Sequence, residues 1–174
     1  MSLDALRESL PAYARDVAQS LTALEGESLL TDQQKWGCYL ACAHAVGTPT
    51  VLKAIEAAAV LAPAARDAAK AAAAVMAMNN IYFRALHLMQ NQAYRTLPSR
   101  LRGNASLNPG VDKTDFELWC LAVSAINGCG ACLDSHEEEL QRRAVEPKVI
   151  QAALRIAAVI NAVSCVLAAE AALT

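Results

Sequence analysis

Apolar residues fall at three- and four-residue intervals along most of the chain, and that spacing predicts helices. Leu3, Leu6 and Leu10 share one side of a short first helix. Pro11 ends it and can open a second, Pro11–Leu24, with Val17, Leu21 and Leu24 facing inward. Glu25-Gly26-Glu27-Ser28 reads as a turn. Thr31 with Gln34 is a capping-box pair, so a helix starts there and runs to about Val46. Gly47-Thr48-Pro49 breaks it, and Thr48 is placed to cap a helix over Pro49–Leu61. Ala62-Pro63 is the next junction, before a long alanine-rich helix over Ala64–Met89. Tyr94–Asp112 carries Pro98, Gly103, Asn104, Asn108, Pro109 and Gly110, a loop composition. Thr114 begins a helix bearing Phe116, Trp119 and Val123, and Asn127-Gly128 ends it. Another helix runs to about Arg143, and Glu146-Pro147 starts the last. No stretch alternates with period two over strand length, so the fold class expected is all-α.

Two segments echo each other. Lys35-Trp36-Gly37-Cys38 resembles Leu118-Trp119-Cys120-Leu121, and Met78-Asn79-Asn80-Ile81 resembles Val159-Ile160-Asn161-Ala162. The offset is about 82 residues, the mark of a duplicated helical unit covering about residues 30–90 and 112–172 of a single domain, 1–174. Only the second copy would carry the chemistry described below.

Composition narrows the class. A chain of 174 residues is long enough for one domain with a true core. Its alanine content and few aromatics suit closely packed helices. A formal charge of −2 gives no reason to expect nucleic acid or an anionic membrane as partner. The start, Met1-Ser2-Leu3-Asp4, lacks a basic region followed by an apolar run, so no secretory signal is expected. The six cysteines then read as cytoplasmic thiols instead of a disulfide framework. Ala54–Met78 is interrupted by Pro63, Arg66, Asp67 and Lys70, and the apolar run Ile156–Ala169 falls short of the ~20 residues a bilayer demands. Both are expected to be buried helices, apolar enough to make subunit contacts as well.

The chemistry concentrates in Cys129-Gly130-Ala131-Cys132-Leu133-Asp134-Ser135-His136. Two thiols stand three residues apart at the start of a helix, where free N–H groups favour a thiolate. His136 lies four residues beyond Cys132 and so shares its face. Three readings fit: redox chemistry, a metal site, or two inert thiols. For a close cysteine pair in a cytoplasmic chain they rank in that order. Zinc would need a fourth ligand, from Cys120, His44 or Glu117, and the sequence has no second CxxC, CxxH or HxxxH pair. Thioredoxin shares the CxxC spacing but needs strands, which this chain lacks.

Glu117 lies ten residues before the Asn127-Gly128 turn and His136 eight after it. In an antiparallel helix pair the two come level, about 8–10 Å between axes, and Glu117 can orient His136. A solvated surface glutamate is the competing reading. Asp134, Glu137, Glu138 and Glu139 read as a solvent face, and Cys38, Cys42, Cys120 and Cys165 as small buried hydrophobes. His44 and His87 are expected to be hydrogen-bonded in place. Arg95, Arg100 and Arg102 form a basic loop, solvated or docking an acidic partner.

Taken together, the chain resembles the AhpD alkylhydroperoxidase family nearly end to end. The resemblance rests on Leu10-Pro11-Ala12-Tyr13-Ala14, Ala77-Met78-Asn79-Asn80, Asn108-Pro109-Gly110, Phe116-Glu117-Leu118-Trp119 and Ser124-Ala125-Ile126-Asn127-Gly128-Cys129. The dithiol and its trailing His136 complete it. The resemblance implies an all-helical fold, a homotrimer and no bound cofactor or metal. It implies reduction of organic hydroperoxides and delivery of electrons to an AhpC-type peroxiredoxin. The electrons would come from a lipoyl or dihydrolipoamide group on a dehydrogenase-complex subunit. Cys132 would become the sulfenic acid, and Cys129 would act as resolving thiol and proton donor. His136 would be the base and Glu117 its orienting carboxylate. Some relatives carry a second histidine where this chain has Ala131, so an extra proton relay is not expected here. The alternative class is a non-enzymatic dithiol or zinc-binding helical module.

Overall fold

A computed structural model describes residues 3–173. Met1 and Ser2, at the start of the segment read as lacking a secretory signal, lie outside the described residues, as does Thr174. Among the described residues the secondary structure is entirely helical, as the spacing predicts. The order is α1 (Leu3–Glu8), a 3-10 turn (Ala12–Ala14), α2 (Arg15–Glu25), α3 (Asp32–Val46), α4 (Pro49–Ala58) and α5 (Pro63–Leu88). A 3-10 segment (Gln92–Thr96), α6 (Asn104–Leu107), α7 (Lys113–Ile126), α8 (Gly130–Arg142) and α9 (Pro147–Ala172) follow.

The helix ends follow from local chemistry. Thr31 and Gln34 form the expected capping box. Asp112 caps α7 by accepting from the Thr114 N–H at 2.7 Å. Pro49, Pro63 and Pro147 each open a helix, where their missing N–H costs nothing. Gly47 and Gly128 end α3 and the α7 turn in the left-handed region, with φ of 70° and 65°. Several details differ from the pattern, and α4 ends at Ala58, short of the expected Leu61. The segment after Pro11 starts as a 3-10 turn before α2. The Tyr94–Asp112 loop contains two short helical turns. Thr48 sits at the α4 N-cap position without capping it, because its hydroxyl bonds Ser164 of α9 instead.

Helices α3 and α7 form the centre. Each packs against α5, α9 and the other, and α7 also against α8. Both are buried all round, over Gly37–Ala43 and Asp115–Ser124, as expected of helices inside a domain. Trp119, Tyr39, Phe116 and Leu121 are buried there, and the Trp119 indole of α7 lies against Gly37 of α3. Helices α3, α4 and α5 have 15, 10 and 26 residues, and α7, α8 and α9 have 14, 13 and 26. We propose that this shared order reflects the duplicated unit.

Two expectations are corrected. Helix α9 is 26 residues long, so by length and composition it could cross a membrane. The expectation of too short a run followed from counting only its most apolar part. What ties α9 to the domain is packing: Ile156, Ile160, Val163 and Leu167 lie buried, and it rests on α2, α3, α4 and α7. Cys165 of the same helix is exposed, whereas Cys38, Cys42 and Cys120 are buried. Its position falls off the stripe that faces the core, and apolar neighbours along the chain do not decide which way it points.

His44 is held as expected. Its Nε2 pairs with Glu56 at 2.8 Å, and Arg66 and Lys70 reach the same carboxylate at 2.5 and 2.8 Å. Burial pushes the Glu56 carboxyl up, but these donors outweigh it and hold it down to about 2. A carboxylate held low in the fold adds stability above its ordinary value and loses it as pH falls through its folded one. Glu56 therefore contributes fully above about 4.5 and progressively less toward 2. Glu56→Gln is expected to cost about 1–2 kcal/mol at pH 7, with partial exposure limiting the effect. In urea titrations the gap between the two proteins should shrink at pH 3. A gap equal at both pH values would mean the charge is not what matters. His87 is exposed, and its backbone carbonyl accepts from Arg95 at 2.9 Å. Arg95, Arg100 and Arg102 are all exposed.

Candidate active site

The turn between α7 and α8 builds the site. Asn127 ends α7 and Gly128 reverses the chain, so the two helices run antiparallel. Cys129 is then the N-cap residue of α8 and Cys132 stands in its first turn. Their Cα atoms are 5.3 Å apart, inside the range a disulfide spans, and the two sulfurs are bonded. Cys129 is wholly buried, while Cys132 keeps 6% exposure.

That exposure opens into a cavity of about 300 Å³. Cys132 and His136 of α8 line it together with Met76, Asn79 and Phe83 of α5 and Ser106 of α6. The i, i+4 spacing thus delivers both groups to one space. Cys129 is turned inward instead. Ala131 also borders the cavity.

Glu117 comes level with His136, and the two meet directly. Oε2 of Glu117 lies 2.6 Å from Nδ1 of His136. Lys113, one turn earlier on α7, places its Nζ 2.7 Å from Oε1 of the same carboxylate. Glu117 is only 6% exposed, so the surface reading does not hold. Burial pushes its carboxyl up, but the bonds from His136 and Lys113 prevail and hold it below its ordinary value. Glu117 is therefore ionised at neutral pH and accepts a proton bond from Nδ1–H. In the tautomer that donates Nδ1–H to Glu117, the ring's lone pair is on Nε2. Nε2 faces the sulfur of Met76 at 3.3 Å.

A polar network supports the turn from below. Asn80, wholly buried in α5, donates to Ser124 Oγ and accepts from the Asn127 amide, both at 2.9 Å. Arg84 donates to the Asn127 carbonyl. Lys113 also donates to the carbonyl of Ser106. The pattern of apolar residues does not reveal Met76, Lys113 or Ser106 as site residues. Asn80 carries one local signal: an amide on the apolar side of a helix needs a partner.

Among the described residues no group of three or more His, Cys, Asp and Glu side chains is placed to hold a metal ion. His44 is engaged with Glu56, and Glu117 with His136 and Lys113. Asp134 and Glu138 face solvent, and Glu139 pairs with Arg142 and Arg143 at 3.0 and 2.8 Å.

Comparison with known proteins agrees with this architecture. Residues 92–174 match the Carboxymuconolactone decarboxylase family. The chain is 58% identical to the alkyl hydroperoxide reductase AhpD of Hyphomonas neptunium, over 99% of this chain and 97% of that protein. It is 57% identical to the protein of the same name from Maricaulis maris, covering 98% and 99% of the two chains. For the one from Caulobacter vibrioides the identity is 55%, over 99% and 96%. Identity this high, sustained along the entire all-helical chain and the segment that builds the dithiol turn, means that this chain belongs to the AhpD alkyl hydroperoxide reductase family.

Proposed function

We propose that this protein is a cytoplasmic antioxidant enzyme that reduces organic hydroperoxides through Cys129 and Cys132. One observation carries the reading. A cysteine pair adjoins a cavity shared with an imidazole, and that imidazole is anchored on a buried, ionised carboxylate.

In the reduced enzyme His136 Nε2 takes the proton of Cys132, directly or through water. The helix N-terminus and the imidazolium then stabilise the thiolate. The thiolate attacks the outer peroxide oxygen. An S–O bond forms, the O–O bond breaks, and the departing alkoxide takes the proton back from His136. Sulfur has been oxidised by two electrons to a sulfenic acid. Cys129 displaces water from it and forms the disulfide. An external dithiol reopens that bond by exchange and leaves as its own disulfide.

Dihydrolipoamide on a dehydrogenase-complex subunit is the donor we propose, and an AhpC-type peroxiredoxin is a second acceptor of the electrons. Neither requires a resident cofactor. A homotrimer belongs to the same reading, supported by the exposed apolar side chains Ile81, Leu88, Leu97 and Leu107. The test is consumption of tert-butyl hydroperoxide with dihydrolipoamide, with and without an AhpC-type peroxiredoxin. Consumption that depends on this protein supports the reading. No consumption in either arm, with the thiols reduced at the start, overturns it.

Glu117 acts through His136 as a positioning residue. Glu117→Gln is expected to slow peroxide reduction about 10- to 100-fold and to change the shape of its pH–rate profile. A profile identical to the parent's would remove Glu117 from the proton relay.

A further inference from the structure

Three polar residues that the chemistry above does not use border the cavity: Asn79, Ser106 and Ser135. Ser106 Oγ is buried and has no hydrogen-bond partner within the protein. Asn79 and Ser135 leave no such buried, unpaired atom, and the rest of the border includes the apolar Met76 and Phe83 and the reactive pair Cys132 and His136. Native proteins rarely leave a buried hydroxyl unpaired, and a catalytic role, a water or an ion is among the reasons when they do.

Ser106 is also held in place. It lies on α6, the short turn within the loop between α5 and α7. Its carbonyl accepts from Lys113, whose ammonium also reaches Glu117, and Glu117 holds His136. One lysine thus ties this part of the cavity wall to the carboxylate that orients the base.

We propose that Ser106 is a substrate-binding residue that hydrogen-bonds the hydroperoxide through its hydroxyl. The inference rests on the peroxide-reducing function proposed above. The alkyl group packs against Met76 and Phe83, and the peroxide lies between Cys132 and Ser106. When Cys132 sulfur bonds the outer oxygen and the O–O bond breaks, negative charge grows on the inner oxygen. The Ser106 O–H donates to that oxygen, and His136 delivers the proton that completes the alcohol. The serine loses no proton overall. It makes a bond that strengthens as charge develops, which is how a hydrogen-bond donor accelerates a reaction.

The test uses fully reduced protein and tert-butyl hydroperoxide in a single turnover, read as loss of two thiols. Ser106→Ala is expected to react about five- to tenfold more slowly, the size of effect one such bond supplies. Ser106→Thr retains the hydroxyl and should stay within about twofold of the parent. Alkylation of Cys132 by iodoacetamide across pH should be the same in all three, because the serine acts on the peroxide and not on the thiol.

Ser106→Ala reacting at the parent rate overturns the proposal. So does Ser106→Thr as slow as Ser106→Ala, or a fall in alkylation that matches the fall in oxidation. A parent protein that loses no thiols to the hydroperoxide is a different result. It refutes the function itself.

Discussion

Cys132→Ser is expected to abolish hydroperoxide turnover, a fall of at least about a thousandfold, because a serine hydroxyl cannot replace a thiolate at neutral pH. Cys129→Ser should behave differently. It should complete one oxidation, hold the sulfenic acid at Cys132, and fail to cycle. The asymmetry follows from burial and position. Cys132 lines the cavity beside His136, while Cys129 is wholly enclosed at the N-cap of α8. In thioredoxin-type pairs it is usually the first cysteine that attacks, so the order proposed here is the reverse. Mass spectrometry after one equivalent of peroxide, with a sulfenic-acid trap present, reads the result directly. The adduct should sit on Cys132 in the Cys129→Ser variant. Peroxide turnover that survives Cys132→Ser and disappears in Cys129→Ser would exchange the two roles.

The second large effect concerns the fold. Gly37 of α3 lies against the indole of Trp119 on α7, and a Cβ at that position would overlap the ring. Trp119 is wholly buried and its Nε1 donates to the Gln34 carbonyl at 3.2 Å, so it has no free space to retreat into. Replacing a helical glycine by alanine usually gains about 0.5–1 kcal/mol from propensity. Overpacking a filled core costs about 1–3 kcal/mol and sometimes more. The clash is with a rigid ring, so the larger figure governs, and Gly37→Ala should lose about 2 kcal/mol net. Denaturant titration measures it. A Trp119→Phe background, with the smaller ring, should reduce the penalty, since contacting residues do not add independently. Gly37→Ala raising stability in the parent would mean that the ring moves freely.

Much of the architecture is legible in the sequence for local reasons. The Thr31–Gln34 capping box, the prolines at 49, 63 and 147, and the Asn127-Gly128 reversal each act within one or two turns of chain. The dithiol and His136 are legible for the same reason, since a single helix sets their spacing. Glu117 is an intermediate case. Equal distances from the turn bring it level with His136, but only packing decides whether it faces inward. Thr48 and Cys165 mark where local reasoning fails. The Thr48 hydroxyl prefers Ser164, 116 residues away, to its own helix end. Cys165 sits in an apolar run, yet lies off the side of α9 that meets the core.

By itself, then, the sequence determined an all-α chain, the ends of most helices, and a cysteine pair followed by an imidazole at a helix start. These follow from interactions between residues a few positions apart, which the order of amino acids specifies directly. Tertiary structure alone decided that Glu117 is buried and bonded to His136, that Met76 faces Nε2, and that Ser106 lines the cavity. Those contacts join different helices. They depend on which faces meet when α5, α7 and α8 pack together, a choice made by shape and apolar burial across the whole domain.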